Sequence, residues 1–190
     1  MTAGLLDCIV TPLQGNRLPD GATLVADNGA YGKGFPGAAK WFEWLSSLPA
    51  DRVRFAVAPD VVADAQATLD RSLPWLPRIR ALGIPAALVA QDGLETLDVP
   101  WDEFDVLFIG GTTGWKLGRH ARALVAEAKR RGKHVHMGRV NSLTRLRYAD
   151  HIGCDSADGT YLVFGPDVNL PKLLDWLTAV NDQGTLWKAG

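Results

Sequence analysis

At 190 residues, with 47% hydrophobic and 22% charged residues, the chain has the make-up of a single globular domain over 1–190, long enough to bury well over half of its unfolded surface. Its longest apolar runs, such as "IPAALVA", are too short to span a bilayer and no Lys/Arg-led signal segment opens the sequence, so a cytoplasmic protein is expected. The net charge of −1 hides a division: residues 111–150 carry 10 Lys or Arg and 2 Asp or Glu, whereas residues 1–110 carry 8 and 14. Such a basic stretch suits phosphates or a polyanion.

Buried strands are expected at "LLDCIV" (5–10), "TLVAD" (23–27), "VRFAVAP" (53–59), "AALVAQ" (86–91), "VLFIGG" (106–111), "HVHMG" (134–138) and "HIGCDS" (151–156), with a weaker one at "YLVF" (161–164). Several show little polar alternation, as strands covered on both faces do. Helical patterns fill the intervals at 37–48, 64–82, 116–132, 142–150 and 170–183, with Pro74 and Pro77 dividing or kinking the second. Strand and helix alternate throughout, which predicts an α/β chain with a parallel sheet. Seven or eight strands predict a compact (β/α)8 TIM-like barrel, with a doubly wound open sheet as the other arrangement.

The distinctive residues fall just past the strands: "DNGAYG", "APD", "QDG", "GGTTGWKLG", "MGRVNS" and "CDSADGT". In a barrel these ends meet at the carboxyl-terminal mouth, where active sites are built. Glycines alone would serve for turns; an acid or amide beside so many of them predicts a site. Asp27 and Asp60 also have plain readings as turn and cap residues. An amide closing so apolar a strand, Gln91, needs partners. "GGTTGWKLG" has the look of a phosphate-cradling loop but matches neither the Walker pattern nor GxGxxG.

Cys8 and Cys154 form no metal-type or disulfide pattern and are expected as buried thiols. His134 and His136 flank Val135 and are assigned to opposite faces of their strand, so no metal is expected there. The remaining chemistry is that of carboxylates. Two of them across a pocket can serve as nucleophile and general acid/base. Lys129, Arg130, Arg131 and Lys133 read as a solvated helix face.

Taken in order, these motifs resemble those of the tRNA-guanine transglycosylase superfamily, most closely the short phage and bacterial members that insert 7-deazaguanines into DNA. "DNGAY" is similar to that family's Asp-Ser-Gly-Gly-aromatic motif, "APD" to its base-reading Asp and "VAQDG" to its Val-Gln-Gly strand end. "GGTTGWKLG" is similar to its glycine loop, "HMG" to its Met-Gly strand end and "GCDSAD" to its nucleophile strand. The resemblance implies replacement of guanine in DNA through a covalent aspartyl-glycosyl intermediate, without cofactor or metal. DNA and a free 7-deazaguanine base would be the partners, and a homodimer is implied. Matching from the glycine makes Asp158 the nucleophile, which is preferred; matching the Asp-Ser ending makes it Asp155. Asp27 would be the general acid/base. Asp60 and Gln91 would read the base edge, with donors at Gly110, Gly111 and Thr112, while Tyr31 and Met137 would sandwich the ring. Lys116, Arg139, Arg145 and Arg147 would hold the nucleic-acid backbone. The family's zinc ligands, Pro-Thr-Arg segment and RNA-binding subdomain are missing. Two other readings stay open: a non-catalytic nucleic-acid or base-binding barrel, and a carboxylate-pair N-glycosidase.

Overall fold

The computed structural model describes residues 6–15, 20–32 and 34–186, with side chains to residue 181. Seven parallel strands pair strictly in chain order: β1 (Cys8–Val10), β2 (Leu24–Ala26), β3 (Val53–Val57), β4 (Ala86–Ala90), β5 (Val106–Ile109), β6 (His134–Met137) and β7 (Ser156–Ala157). The sheet curls into a partial barrel. Among the described residues no ladder joins β7 to β1, so the expected closed eight-unit barrel is corrected to an open seven-stranded one.

The period of two along each strand divides its side chains between two cores. Leu24, Ala56, Leu88, Leu107, Val135 and Met137 face outward and pack with helical residues such as Trp41, Leu45, Leu76, Ile79 and Val125. Val25, Phe55, Val57, Ala87, Val89, Val106 and Phe108 form the inner face. That double burial is why the strands lack polar alternation.

The helices are α1 (Ala38–Ser46), α2 (Ala65–Ser72), α3 (Leu76–Ala81), α4 (Thr113–Lys116), α5 (Arg119–Arg130), α6 (Leu143–Ile152) and α7 (Pro166–Leu186). Pro74 and Pro77 do divide the second helical pattern, α2 from α3. Asp64, Thr112 and Ser142 cap α2, α4 and α6 with side-chain oxygens.

Two strand expectations fail at the end of the sheet. The Ser142 cap starts a helix that runs through His151 and Ile152 and stops at Gly153, whose φ of 98° only glycine adopts readily. This leaves β7 two residues, Ser156–Ala157, rather than 151–156. "YLVF" is a 3-10 turn ahead of α7 rather than a strand, and Val163 and Phe164 in it are exposed. Of the expected first strand, Leu5 lies outside the described residues. No helix among the described residues is long and apolar enough to cross a membrane.

Candidate active site

The carboxyl ends of the strands surround a cavity of about 830 Å³, a size suited to a small organic ligand. Val57, Val89 and Phe108 supply an apolar floor, and Asp27, Asp60, Gln91, Arg139, Arg145 and Asp158 supply polar walls.

On one side Asp60, 6% exposed, binds Asn28 and Gln91. Asn28 Nδ2 donates to Asp60 Oδ1 at 2.8 Å, and Gln91 Nε2 donates to Asp60 Oδ2 at 2.6 Å. Asn28 also donates to the Ala58 carbonyl, and Gln91 Oε1 accepts from the Ala63 and Gly111 N–H groups. The amides are thereby locked, and each Asp60 oxygen keeps acceptor capacity. Burial raises the proton affinity of Asp60 against these two amide bonds.

Asp27 follows β2 and accepts from Gly29 N–H at 2.7 Å. Burial pushes its pKa from 3.8 up to about 6, outweighing the Gly29 bond, with the Asp158 and Asp60 charges adding to the rise. Asp158 follows β7 and is 17% exposed. Its Oδ2 lies 3.0 Å from His136 Nε2 and its Oδ1 accepts from Arg139 N–H at 3.0 Å. Burial raises its pKa, but the His136 hydrogen bond and the Arg139 N–H outweigh it, so the net shift is downward. Two carboxylates on one cavity are thus pulled in opposite directions.

The backbone is bent to serve this arrangement. Among the described residues two non-glycine residues have positive φ, Ala63 at 63° and Arg139 at 60°, a conformation costing about 1 kcal/mol or more. Both turn an N–H into the site, Ala63 to Gln91 and Arg139 to Asp158. The Arg139 guanidinium donates to the Gly111 carbonyl and lies 4.4 Å from the centre of the exposed Tyr31 ring.

Several expected roles need correction. Asp155 is not at the mouth: β7 runs between it and Asp158, and Asp155 pairs with Lys129 at 2.6 Å and accepts from Val135 N–H at the other end of the sheet. Met137 is 1% exposed in the outer core, so it cannot cover a ring from the cavity. Gly110 N–H donates to the Ala90 carbonyl, Gly111 N–H to Gln91 and Thr112 N–H to Asp92, so these three donors are used within the protein. A side chain at Gly111 would meet Trp115 at 2.5 Å, which explains that glycine without a ligand. Lys116 is buried with its ammonium on the Gly138 carbonyl, and burial followed by the Arg139 charge lowers its pKa to about 8. It ties two strand ends together and reaches no surface phosphate. Arg147 is exposed and away from the cavity, whereas Arg139 and Arg145 line it.

Sequence reasoning assigned no role here to Asn28 or Phe108 and weighed His136 only as a metal ligand. It also reversed one geometry. His134 and His136 are two residues apart and so share a face; both bond Ser156 Oγ at 2.8 Å. Cys8 and Cys154 are free and half-buried, and burial pushes Cys154 up to about 12.

No family model and no curated protein matches the chain. Among solved structures, the fold overlaps the PaMucR phosphodiesterase in complex with c-di-GMP at 18% identity and a TM-score of 0.46, over 74% of this chain and 60% of that one. It overlaps Klebsiella pneumoniae BlrP1 in its calcium and c-di-GMP complex at 18% identity and a TM-score of 0.43, over 74% of this chain and 38% of that one. The chain therefore spans less than two thirds of either, and overlaps of this extent are no argument for a shared activity. With the Gly110, Gly111 and Thr112 donors occupied, Met137 in the core and Lys116 buried, the guanine transglycosylase reading is corrected. Base exchange in DNA, and DNA and 7-deazaguanine as partners, fall with it.

Proposed function

We propose that the mouth cavity binds a planar heterocycle presenting N–H donors and carries out general acid–base chemistry on it. The observation that supports this most is the pairing of Asp27 and Asp158 on one cavity with proton affinities drawn apart, the pattern by which two carboxylates take different roles. Asp27, titrating at about 6, gains and loses a proton near neutrality, where a general base works best. Asp158 rests ionised and meets positive charge developing on the ligand. Asp60 takes the ligand's N–H groups on its spare lone pairs, and Val57, Val89 and Phe108 offer a flat apolar bed for the ring.

Calorimetric titration with isocytosine and pterin, both of which present adjacent N–H donors, tests this reading. The expected result is binding by both, loss of binding on N-methylation, and at least roughly tenfold weaker binding in Asp60→Asn, the scale of one lost charged hydrogen bond. Covering Asp27 with a ring raises its proton affinity further, so binding near pH 6 takes up protons in the native chain and not in Asp27→Asn. Failure of both probes to bind, or proton uptake that persists in Asp27→Asn, overturns it.

A further inference from the structure

Behind Asp158 a line of polar side chains runs down the otherwise apolar inner face. His136 Nε2 lies 3.0 Å from Asp158 Oδ2, His136 Nδ1 lies 2.8 Å from Ser156 Oγ, and His134 Nε2 lies 2.8 Å from the same oxygen. Beyond it, His134 Nδ1 is 4.0 Å from Asp155 Oδ2 at the base of the sheet. The Phe55 ring centre lies 5.9 Å from His134 and 5.3 Å from His136, and Phe108 lies 4.7 Å from His136.

We propose that His134, Ser156 and His136 form a proton relay connecting Asp158 to water at the opposite end of the sheet. The hydrogen bonds dictate its polarity. An ionised carboxylate only accepts, so His136 carries its proton on Nε2 and donates it to Asp158. The unprotonated Nδ1 of a neutral His136 then accepts from the Ser156 hydroxyl, and Ser156 Oγ accepts from His134 Nε2–H. Every donor points toward Asp158.

One proton arriving at His134 Nδ1 displaces the Nε2 proton to Ser156 Oγ. The Ser156 proton passes to His136 Nδ1, and the His136 Nε2 proton passes to Asp158 Oδ2. Three N–H or O–H bonds break, their protons forming new bonds to Ser156, His136 and Asp158 in turn, and the entering proton forms the fourth, to His134 Nδ1. Both imidazoles finish neutral in the other tautomer, and Asp158 finishes as the acid. The charge balance is that of one solvent proton neutralising one carboxylate.

The two ends differ in exposure. The His136 side chain is 3% exposed and the Asp158 side chain 17%, whereas the His134 side chain is 31% exposed. Asp158 borders the mouth cavity and, with His136, Ser156 and Asp155, also a second cavity of about 670 Å³. Burial lowers the proton affinity of His134, and His136, Arg54 and Lys129 add to that, while Asp155 attracts the entering proton. Around the inner end, Lys116 and Arg139 sit with Asp158, and Asp27 also faces His136. A ligand filling the mouth leaves the exposed His134 end of the relay open to water. Its use in catalysis rests on the acid–base reading above; its existence does not.

Nitrogen-15 histidine NMR on the full chain, without ligand, tests the relay. The expected result is Nε2–H tautomers for both histidines in the native chain. Solvent exchange of the His136 Nε2 proton should slow roughly tenfold in Ser156→Ala, the scale of one broken hydrogen bond, and recover in Ser156→Thr, which keeps the hydroxyl. A merely structural serine would not give that recovery. An Nδ1–H tautomer at His136, or unchanged exchange in a folded Ser156→Ala, overturns the relay. If exchange behaves as expected while isocytosine and pterin fail to bind, the relay stands and the acid–base reading falls.

Discussion

Asp155 and Asp158 stand at the two ends of one short strand, three positions apart in the chain, and do opposite work. At the base of the sheet, Asp155 meets a full positive charge on Lys129 and an orphan backbone N–H on Val135, a strut between α5 and β6. At the mouth, Asp158 is held chiefly by an imidazole and by an N–H that a left-handed Arg139 turns toward it, and one side faces a cavity. A neutralised carboxylate with its lone pairs used has no chemistry left. A carboxylate held ionised by hydrogen-bond donors and open to a cavity does.

The mouth itself contains a second contrast, and breaking it gives the largest effect expected here. Folded Asp27 titrates at about 6 against an ordinary 3.8, so the folded chain binds more protons than the unfolded chain between those values. Stability therefore falls as pH rises through that window, by about 2 kcal/mol after allowance for partial exposure. Asp27→Asn removes the cost. Urea denaturation across pH should show the variant gaining on the native chain as pH rises toward about 6 and levelling off above it. Asp158 has the opposite sign: its lowered pKa contributes stability above 3.8 that is lost as pH falls through its folded value. Asp158→Asn is accordingly the less stable variant at neutral pH.

Gly159→Ala comes next. A Cβ there collides with the Val140 carbonyl and Asn141, where β7 leaves the sheet, and backbone cannot move aside cheaply. A loss of about 2 kcal/mol in denaturation is expected, together with weaker isocytosine binding because Asp158 shifts. Asp155→Ala should cost about 1 kcal/mol, mostly for the stranded Val135 N–H, since the exposed Lys129 pair adds little. Binding at the mouth should be unchanged, which separates the two aspartates. Tyr31→Ala, at an exposed ring stacked on Arg139, should alter stability by less than about 0.5 kcal/mol and weaken binding modestly.

The sheet was legible because the doubly buried strands "AALVA" and "VLFI" have no other use for so many apolar residues in a row. Closure was not legible: whether a seventh strand is long enough to meet the first depends on Gly153 ending α6, a cap that the apolar Ile152 concealed. Asp27, Asp60, Gln91 and Asp158 were legible as a convergence at strand ends, and all four line the mouth cavity. Met137 was misassigned because a residue at a strand end can face either side, and the period from Val135 sends it outward. Lys116 sits in a stretch rich in cations, which conceals a lysine buried as a strut. The relay was hidden by a misjudged period, since His134 and His136 share a face.

Carbon-13 carboxyl titration of the aspartates, with assignments from Asp27→Asn and Asp158→Asn, tests the central claim most directly. One carboxyl should titrate at about 6, disappear in Asp27→Asn and move down in Asp158→Asn as the neighbouring charge is removed, while the Asp158 carboxyl titrates below 3.8. Ordinary midpoints for both, or a midpoint near 6 that vanishes with Asp158 rather than Asp27, would contradict it.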